Sequence, residues 1–167
     1  MRALQRRLRG VSTSAAVLVA LLLCASQLVA QNPRTSLTLA GGTITFPAPT
    51  AADFINGFVN STTGVTFTLD ASAGNQPHTT AVLLRSTSAN LGNGKILGDL
   101  QWRRSDLTTW NSITVTDAQV EQRVQVRNGL NDPWSNTIYF RMILNWTTDS
   151  PATYSANYQI TLSQTVP

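Results

Sequence analysis

Hydrophobic and polar residues alternate in short runs along most of the chain after position 30. In the strongest run, residues 138–146, apolar side chains take every second position, and Tyr139 and Arg141 lie between them. A second run, residues 154–162, keeps the same period. A period of two is typical of a strand with one buried face, and no window has the spacing of an amphipathic helix. We therefore predict that these two runs are central β-strands.

Shorter runs with the same period divide the remaining sequence into about eight to ten strands, spaced by roughly 8–12 residues. Residues 54–59 predict either a short strand or one turn of helix. The regular spacing, without an internal repeat or a linker, is typical of a single antiparallel β-sandwich. Further strands are predicted at Val65, Phe67 and Leu69; at residues 81–86; at Ile96, Leu100 and Trp102; at Ile113 and Val115; and at Val120, Val124 and Val126.

The segment 36–46 is compatible with two arrangements. Its two alternating runs flank Gly41 and Gly42, a two-residue turn signal that predicts a tight hairpin. The same alternation would suit a strand that is donated to the sheet of a neighbouring molecule. We expect the hairpin and keep strand donation as the alternative.

The segment 1–30 has the layout of a secretory signal peptide. Four arginines precede an apolar run of nine residues, which is too short to span a bilayer. Cleavage after Ala30 leaves Leu28, which is larger than preferred, at the third position back, whereas cleavage after Ser26 fits the preference for small residues. Cys24 offers lipidation as an alternative, although Leu23 is larger than the residue that usually precedes an acylated cysteine. We expect a signal peptide, 1–30, a β-sandwich domain, 31–167, and a secreted, periplasmic or cell-surface protein without a membrane span.

Removal of this leader changes the charge of the protein. The chain has 12 basic and eight acidic residues, and the four arginines of the leader account for the whole excess. The predicted domain therefore has no net charge. A neutral domain gives no reason to expect nucleic-acid binding, which requires a basic surface. The pair Arg103-Arg104 is interpreted as an exposed strand end.

The domain contains few groups that could perform catalysis. It has no cysteine and one histidine, His78, which lies in a polar sequence that predicts a solvated loop. No Gly-x-Ser-x-Gly sequence presents a nucleophile, and the acidic residues are scattered singly. Ligand sets for a transition metal and glycine-rich phosphate loops are also missing. We therefore predict a protein that is not an enzyme and has no cofactor, metal or catalytic residues.

The four tryptophans divide into two pairs. Trp102 and Trp146 are in phase with apolar strand faces, so we expect them in the core. Trp110 and Trp134 are out of phase or in a turn, so their rings are the candidates for stacking on a ligand such as a sugar. The hydrogen-bonding side chains nearest to these rings in the sequence are Asn111, Asn131 and Asp132.

The closing segment 154–162, which reads YSANYQITL, resembles the last strand of secreted bacterial pilin-like sandwiches, including the spore-coat-U-like group. In these proteins a tyrosine and an alternating stretch ending in Ile-Thr-Leu close the chain. The resemblance covers the segment 138–167. It implies an immunoglobulin-like sandwich that is exported to the envelope and is sometimes assembled by strand exchange. Coat-U-like proteins often carry cysteines, and none follows Cys24 here.

Two functions are compatible with these features. The leading hypothesis is a non-enzymatic structural protein of the envelope or extracellular space that associates with copies of itself, or with envelope proteins, through sheet edges. The alternative is a carbohydrate-binding module that contacts polysaccharide through Trp110 and Trp134. The carbohydrate-binding hypothesis requires that both tryptophan rings are exposed on one side of the molecule, whereas the structural hypothesis does not.

Overall fold

Antiparallel strands form most of the protein. The computed structural model describes residues 35–71, 77–125, 134–149 and 152–165, with 54% of residues in strands and 8% in helix. The predicted all-β class is confirmed, whereas the predicted signal peptide, 1–30, lies outside the described residues. The elements are β1 (Thr35–Ala40), α1 (Ala51–Asn56), β2 (Phe58–Asn60), β3 (Val65–Ala71), β4 (His78–Ser86), β5 (Asn90–Gly92), β6 (Lys95–Ile96), a 3-10 turn (Leu97–Asp99), β7 (Leu100–Arg104), β8 (Asn111–Ser112), β9 (Ala118–Gln125), β10 (Trp134–Ile143) and β11 (Tyr158–Thr165).

Within the described residues, the strands form two main sheets and one small hairpin. Sheet 1 has the order β1-β3-β10-β7-β8, and β2 pairs with the end of β10 beyond β3. Sheet 2 has the order β11-β4-β9, and β5 pairs with β6. Every strand pair is antiparallel. Strand β10 is the centre of sheet 1 because it pairs with three other strands, as predicted for residues 138–146. The central position predicted for residues 154–162 is wrong, because β11 begins at Tyr158 and pairs only with β4 among the described residues.

One hydrophobic cluster joins side chains from both sheets. Strand β4 shows the alternation most clearly, because buried and partly exposed residues follow each other strictly along it. The predicted inner faces of β3 and β10 are confirmed, and the threonines of β3 face outward. The cluster includes Val65, Phe67, Leu69, Leu100, Trp102, Ile138, Phe140 and Met142 from sheet 1, and Val82, Leu84 and Val120 from sheet 2.

The helix α1 is defined at both ends by its sequence. The Thr50 side chain accepts a hydrogen bond from the Asp53 backbone N–H, and the Asp53 carboxylate accepts from the Thr50 backbone N–H at 2.8 Å. This capping box also lowers the pKa of the Asp53 carboxyl, through the hydrogen bonds that Thr50 donates to it. Gly57 ends the helix with a φ of 78°, and β2 begins directly afterwards. Residues 54–59 were predicted as either a turn of helix or a short strand, and the structure has both: the end of α1 followed by β2.

The hairpin predicted at Gly41 and Gly42 is wrong. Strand β1 instead pairs with β3, and Leu37 lies opposite Leu69 while Leu39 lies opposite Phe67. Residues 41–46 continue along the same edge without regular strand geometry. Pairing with β3 brings the leucines of β1 beside fully buried side chains, whereas a local hairpin would have paired two half-exposed segments. Contact with a buried strand thus outweighed the local turn signal.

The prediction for β9 is wrong beyond Val120. The register to β4 shifts between Val82 and Leu83, so that β9 carries one additional residue at this point. A bulge of this kind reverses the alternation that follows it. Glu121 is consequently buried, whereas Val124 is 68% exposed. Val126 lies outside the described residues.

Three other apolar positions differ from the prediction. Ile96 is exposed because the 3-10 turn after it buries Leu97 instead. Val115 is exposed, since β8 ends at Ser112 and the chain leaves the sheet. Trp146 lies beyond the end of β10 and is 62% exposed, with its ring stacked on Phe54 at a centroid distance of 4.1 Å. An alternating pattern predicts burial only as far as the strand continues.

A buried ion pair attaches the β5–β6 hairpin to the turn after β10. The Lys95 Nζ lies 2.7 Å from the Asp149 carboxylate and 3.2 Å from that of Asp99. Asp149 also accepts a hydrogen bond from the Asn145 backbone N–H at 2.9 Å. A charged lysine can be buried because carboxylates balance its charge.

Replacing Phe140 with alanine should lower the free energy of unfolding by about 3–5 kcal/mol, and replacing Leu144 by about 2–5 kcal/mol, because each leaves a cavity in the core. Chemical denaturation of the purified protein measures both values. Val124→Ala is the control, since its exposed side chain should change stability by less than about 0.5 kcal/mol. Losses of the same size in all three variants would contradict the assigned core.

Candidate functional site

Among the described residues, the strands at the two ends of each sheet's strand order, β1 and β8 in sheet 1 and β9 and β11 in sheet 2, differ in how they are protected against further strand pairing. Natural edge strands are protected by shortness, charged residues, prolines or bulges. Strand β8 has only two residues. Strand β9 has a bulge and carries Glu121 and Arg123, and the buried Glu121 carboxylate accepts a hydrogen bond from Arg104 at 2.5 Å. These two edges are protected.

The edges formed by β1 and β11 have none of these features. Their sequences, TSLTLA and YQITLSQT, contain no charged residue and no proline, and β11 has eight residues. Neither pairing register contains an irregularity. Among the described residues, β1 pairs only with β3 and β11 pairs only with β4. Each strand therefore leaves one row of backbone donors and acceptors without a strand partner.

The two unprotected edges lie on the same side of the protein. At one end, the Thr35 hydroxyl donates a hydrogen bond to the Gln164 side chain at 3.1 Å, which connects β1 to β11. Further along, the Tyr158 hydroxyl donates to the Gly42 carbonyl at 2.7 Å. Residues 41–46 remain attached to sheet 1, because the Thr62 backbone N–H donates to the Thr45 carbonyl at 3.1 Å.

Between these edges lies a depression of about 610 Å³, which we call the edge groove. Leu39, exposed to 44%, lies on its sheet 1 side, and Phe140 and Met142 of the core form part of its floor. The inward side chains of β11 are only half-buried, in contrast to the fully buried ones of β4. The groove is thus a place where the core is incompletely covered. Its other apolar lining residues are Ile44, Phe46, Leu91, Leu100, Tyr154, Ala156, Tyr158 and Ile160.

Trp110 lies elsewhere, on the outer face of sheet 1. Its ring contacts two arginines, with the Arg141 Cζ at 4.6 Å and the Arg103 Cζ at 5.1 Å from the ring centroid. The two arginines also lie over Phe58 and Tyr139, respectively. We call these five residues the outer-face cluster. Together with Asn60 and Ser61 they line a second depression, of about 360 Å³.

Trp134 faces the opposite way. It is the first residue of β10 and shares the phase of Ile138 and Phe140, which face the core, whereas Tyr139 and Arg141 face outward. The Arg123 Cζ lies 4.8 Å from its ring centroid. The structure therefore does not bring the rings of Trp110 and Trp134 to one surface. Asn111 belongs to β8, and Asn131 and Asp132 lie outside the described residues.

His78 was predicted in a solvated loop, and this is wrong. It is the first residue of β4 and its side chain is buried, because it lies on the same face as Val82 and Leu84. The described part of the chain contains no group of three or more histidine, cysteine or acidic side chains that could hold a metal ion. It also contains no helix that is long and apolar enough to cross a membrane.

Sequence reasoning identified only part of these sites. The alternation in β10 predicted that Tyr139 and Arg141 face outward, which is confirmed. It did not predict that Arg103, Trp110 and Phe58 meet them, because pairing across β7, β10 and β2 brings these residues together. The missing charges and prolines in β1 and β11 were visible in the sequence, but which strands form edges was not.

No family model and no curated protein matches this chain. The resemblance of the segment 138–167 to pilin-like sandwiches stays a prediction.

Replacing Tyr158 with phenylalanine should destabilise the protein by about 1 kcal/mol, because the hydrogen bond to the Gly42 carbonyl is lost. Burial raises the pKa of the Tyr158 hydroxyl above its usual 10.0. Above pH 10.0 the unfolded chain therefore loses this proton before the folded protein does, and the wild type should lose stability as the pH rises towards the raised value. The phenylalanine variant should lack this part of the alkaline loss.

Denaturation curves between pH 8 and pH 11 measure both effects. Tyr139→Phe is the matched control, because it removes a hydroxyl from the outer face of sheet 1 and leaves the alkaline loss due to Tyr158 intact. An alkaline loss that is the same in Tyr158→Phe and the wild type would contradict the burial of this hydroxyl.

Proposed function

We propose that this chain is an exported, non-enzymatic structural protein of the envelope or extracellular space that associates with a second copy of itself through the edges of β1 and β11. The observation that carries the proposal is that both edges lack charge, proline and bulges and flank one apolar groove. Export rests on the arginine-rich start and the short apolar run of the segment 1–30.

We further propose that the two sheets pack as an immunoglobulin-like sandwich. The shared hydrophobic cluster supports this arrangement, because side chains of β4 and β9 belong to the same core as those of β3, β7 and β10. The antiparallel pairing and the long connections between neighbouring strands, such as β3 with β10, are also typical of sandwiches.

Strand addition is the mode of association that these edges favour. A strand laid along β11 would form main-chain hydrogen bonds with its open side, and its side chains would cover the half-buried Ile160 and Leu162. The neutral charge of the domain 31–167 means that two copies do not repel each other. Burial of the apolar lining of the edge groove would supply further stabilisation.

The position of the edges favours a closed dimer over a filament. Filaments need complementary surfaces on different sides of each molecule, whereas a two-fold dimer uses the same surface of both copies. Here the two unprotected edges lie on one side, and β8 and β9 at the other edges are protected. One copy would therefore occupy the binding surface of the other and leave none for a third.

Replacing Leu39 with lysine should weaken the dimer by at least tenfold, because the change places a charge in the edge groove. Inward charges on edge strands oppose strand pairing. Sedimentation velocity of the purified protein, over a range of concentrations, measures the monomer–dimer equilibrium. We expect the wild type to reach twice its monomer mass.

Leu107→Lys is the matched control. Leu107 has the same exposed fraction as Leu39, 44%, and lies in the turn after β7. The same charge is thus added outside the groove, and the dimer should be unchanged. A wild type that stays monomeric at millimolar concentration, or equal weakening by both lysines, would refute the proposal; masses that rise beyond the dimer would refute the closed arrangement.

A further inference from the structure

The outer-face cluster contains cations that form no ion pair within the described part of the chain. The described residues include six basic side chains, and four of them lie within 4.0 Å of a carboxylate: Arg85, Lys95, Arg104 and Arg123. Arg103 and Arg141 are the two in this part of the chain that form no such ion pair. Both lie against the ring of Trp110, in the same depression.

These two guanidinium groups are held in place by neutral groups. The Arg141 Nε donates a hydrogen bond to the Gln101 side chain at 2.7 Å, and the Arg103 Nη1 donates to the Leu107 carbonyl at 2.8 Å. Contact with the aromatic rings orients the groups further. The remaining N–H donors of Arg141 have no acceptor among the described residues. Ordered guanidinium groups lose little conformational entropy when they bind an anion.

The environment of the two guanidinium groups strengthens the binding of an anion. Partial burial lowers the pKa of Arg141, which indicates that water is partly excluded from its guanidinium group, although an arginine stays charged in proteins. Arg103 and Arg141 lie diagonally across the paired strands β7 and β10 and contact the same ring, so both positive charges attract an anion that is bound in this depression. An arginine can also bind a carboxylate through two parallel hydrogen bonds.

We propose that this depression binds a carboxylate-bearing sugar, as part of an acidic polysaccharide. The two arginines would bind the carboxylate, Asn60 at the rim would contact a hydroxyl, and the aromatic side chains would contact the apolar face of the sugar ring. The depression, about 360 Å³, has room for a unit of this size. A nucleic acid is disfavoured because the cluster contains two arginines and no extended basic stripe. The proposal is independent of the association through β1 and β11.

Calorimetric titration with oligogalacturonate tests the proposal. We expect saturable binding of the purified wild-type protein, a decrease of affinity with added salt, and no binding of the uncharged galactose oligomer. Arg103→Gln and Arg141→Gln should each reduce the affinity at least tenfold. Arg85→Gln is the matched control: it removes the same charge from sheet 2, where Arg85 is paired with Asp117, and should leave the affinity unchanged.

Two additional measurements make the result unambiguous. Circular dichroism should show that the glutamine variants are folded, and Arg141→Lys should bind more weakly than the wild type because lysine keeps the charge but loses the paired hydrogen bonds. Leu39→Lys should bind the sugar normally even where it prevents dimer formation. The proposal would be overturned by an absence of oligogalacturonate binding, by equal loss in Arg85→Gln, or by tighter binding of inorganic phosphate or single-stranded DNA.

Discussion

Pairing of β10 with its three neighbours is the constraint on which most of this protein depends. β10 pairs with β3 and β2 on one side and with β7 on the other, so it fixes the register of sheet 1. Its inner face buries Ile138 and Phe140 in the core, and its outer face presents Tyr139 and Arg141. Side chains on a strand alternate between faces, so a shift of this strand by one residue would turn Tyr139 and Arg141 towards the core and Ile138 and Phe140 outward.

The same pairing also determines where the fold remains open. β10 and β4 each have a strand on both sides, whereas β1 and β11 have a strand on one side only among the described residues. Backbone groups at an edge are satisfied by water or by another strand. The edge groove exists because β1 and β11 are joined at Thr35 and Gln164 but separate further along, where the Tyr158 hydroxyl reaches across to Gly42. Association and ligand binding are therefore proposed on different surfaces of the protein.

The predicted and observed structures agree where a local pattern is long and uninterrupted. The inner faces of β3 and β10 follow from an apolar–polar alternation over five or more residues, because a continuous strand places every second side chain on the same face. They disagree where one residue changes the phase or ends the strand. The bulge beside Val120 exposes Val124, and the end of β10 at Ile143 exposes Trp146. No residue in the sequence marks the bulge or the end of the strand, because the alternating pattern of apolar residues continues through both.

The sequence by itself determined the all-β class, the inward and outward sides of β3 and β10, and the absence of charge in β1 and β11. These properties are local, since the backbone geometry of a strand relates each residue to its immediate neighbours. Only the tertiary structure decided that β1 pairs with β3 and not with residues 44–46, that Trp110 meets Arg103 and Arg141, and that Trp134 faces the core. Such contacts join residues far apart in the chain, and their outcome depends on which pairing buries the most apolar surface.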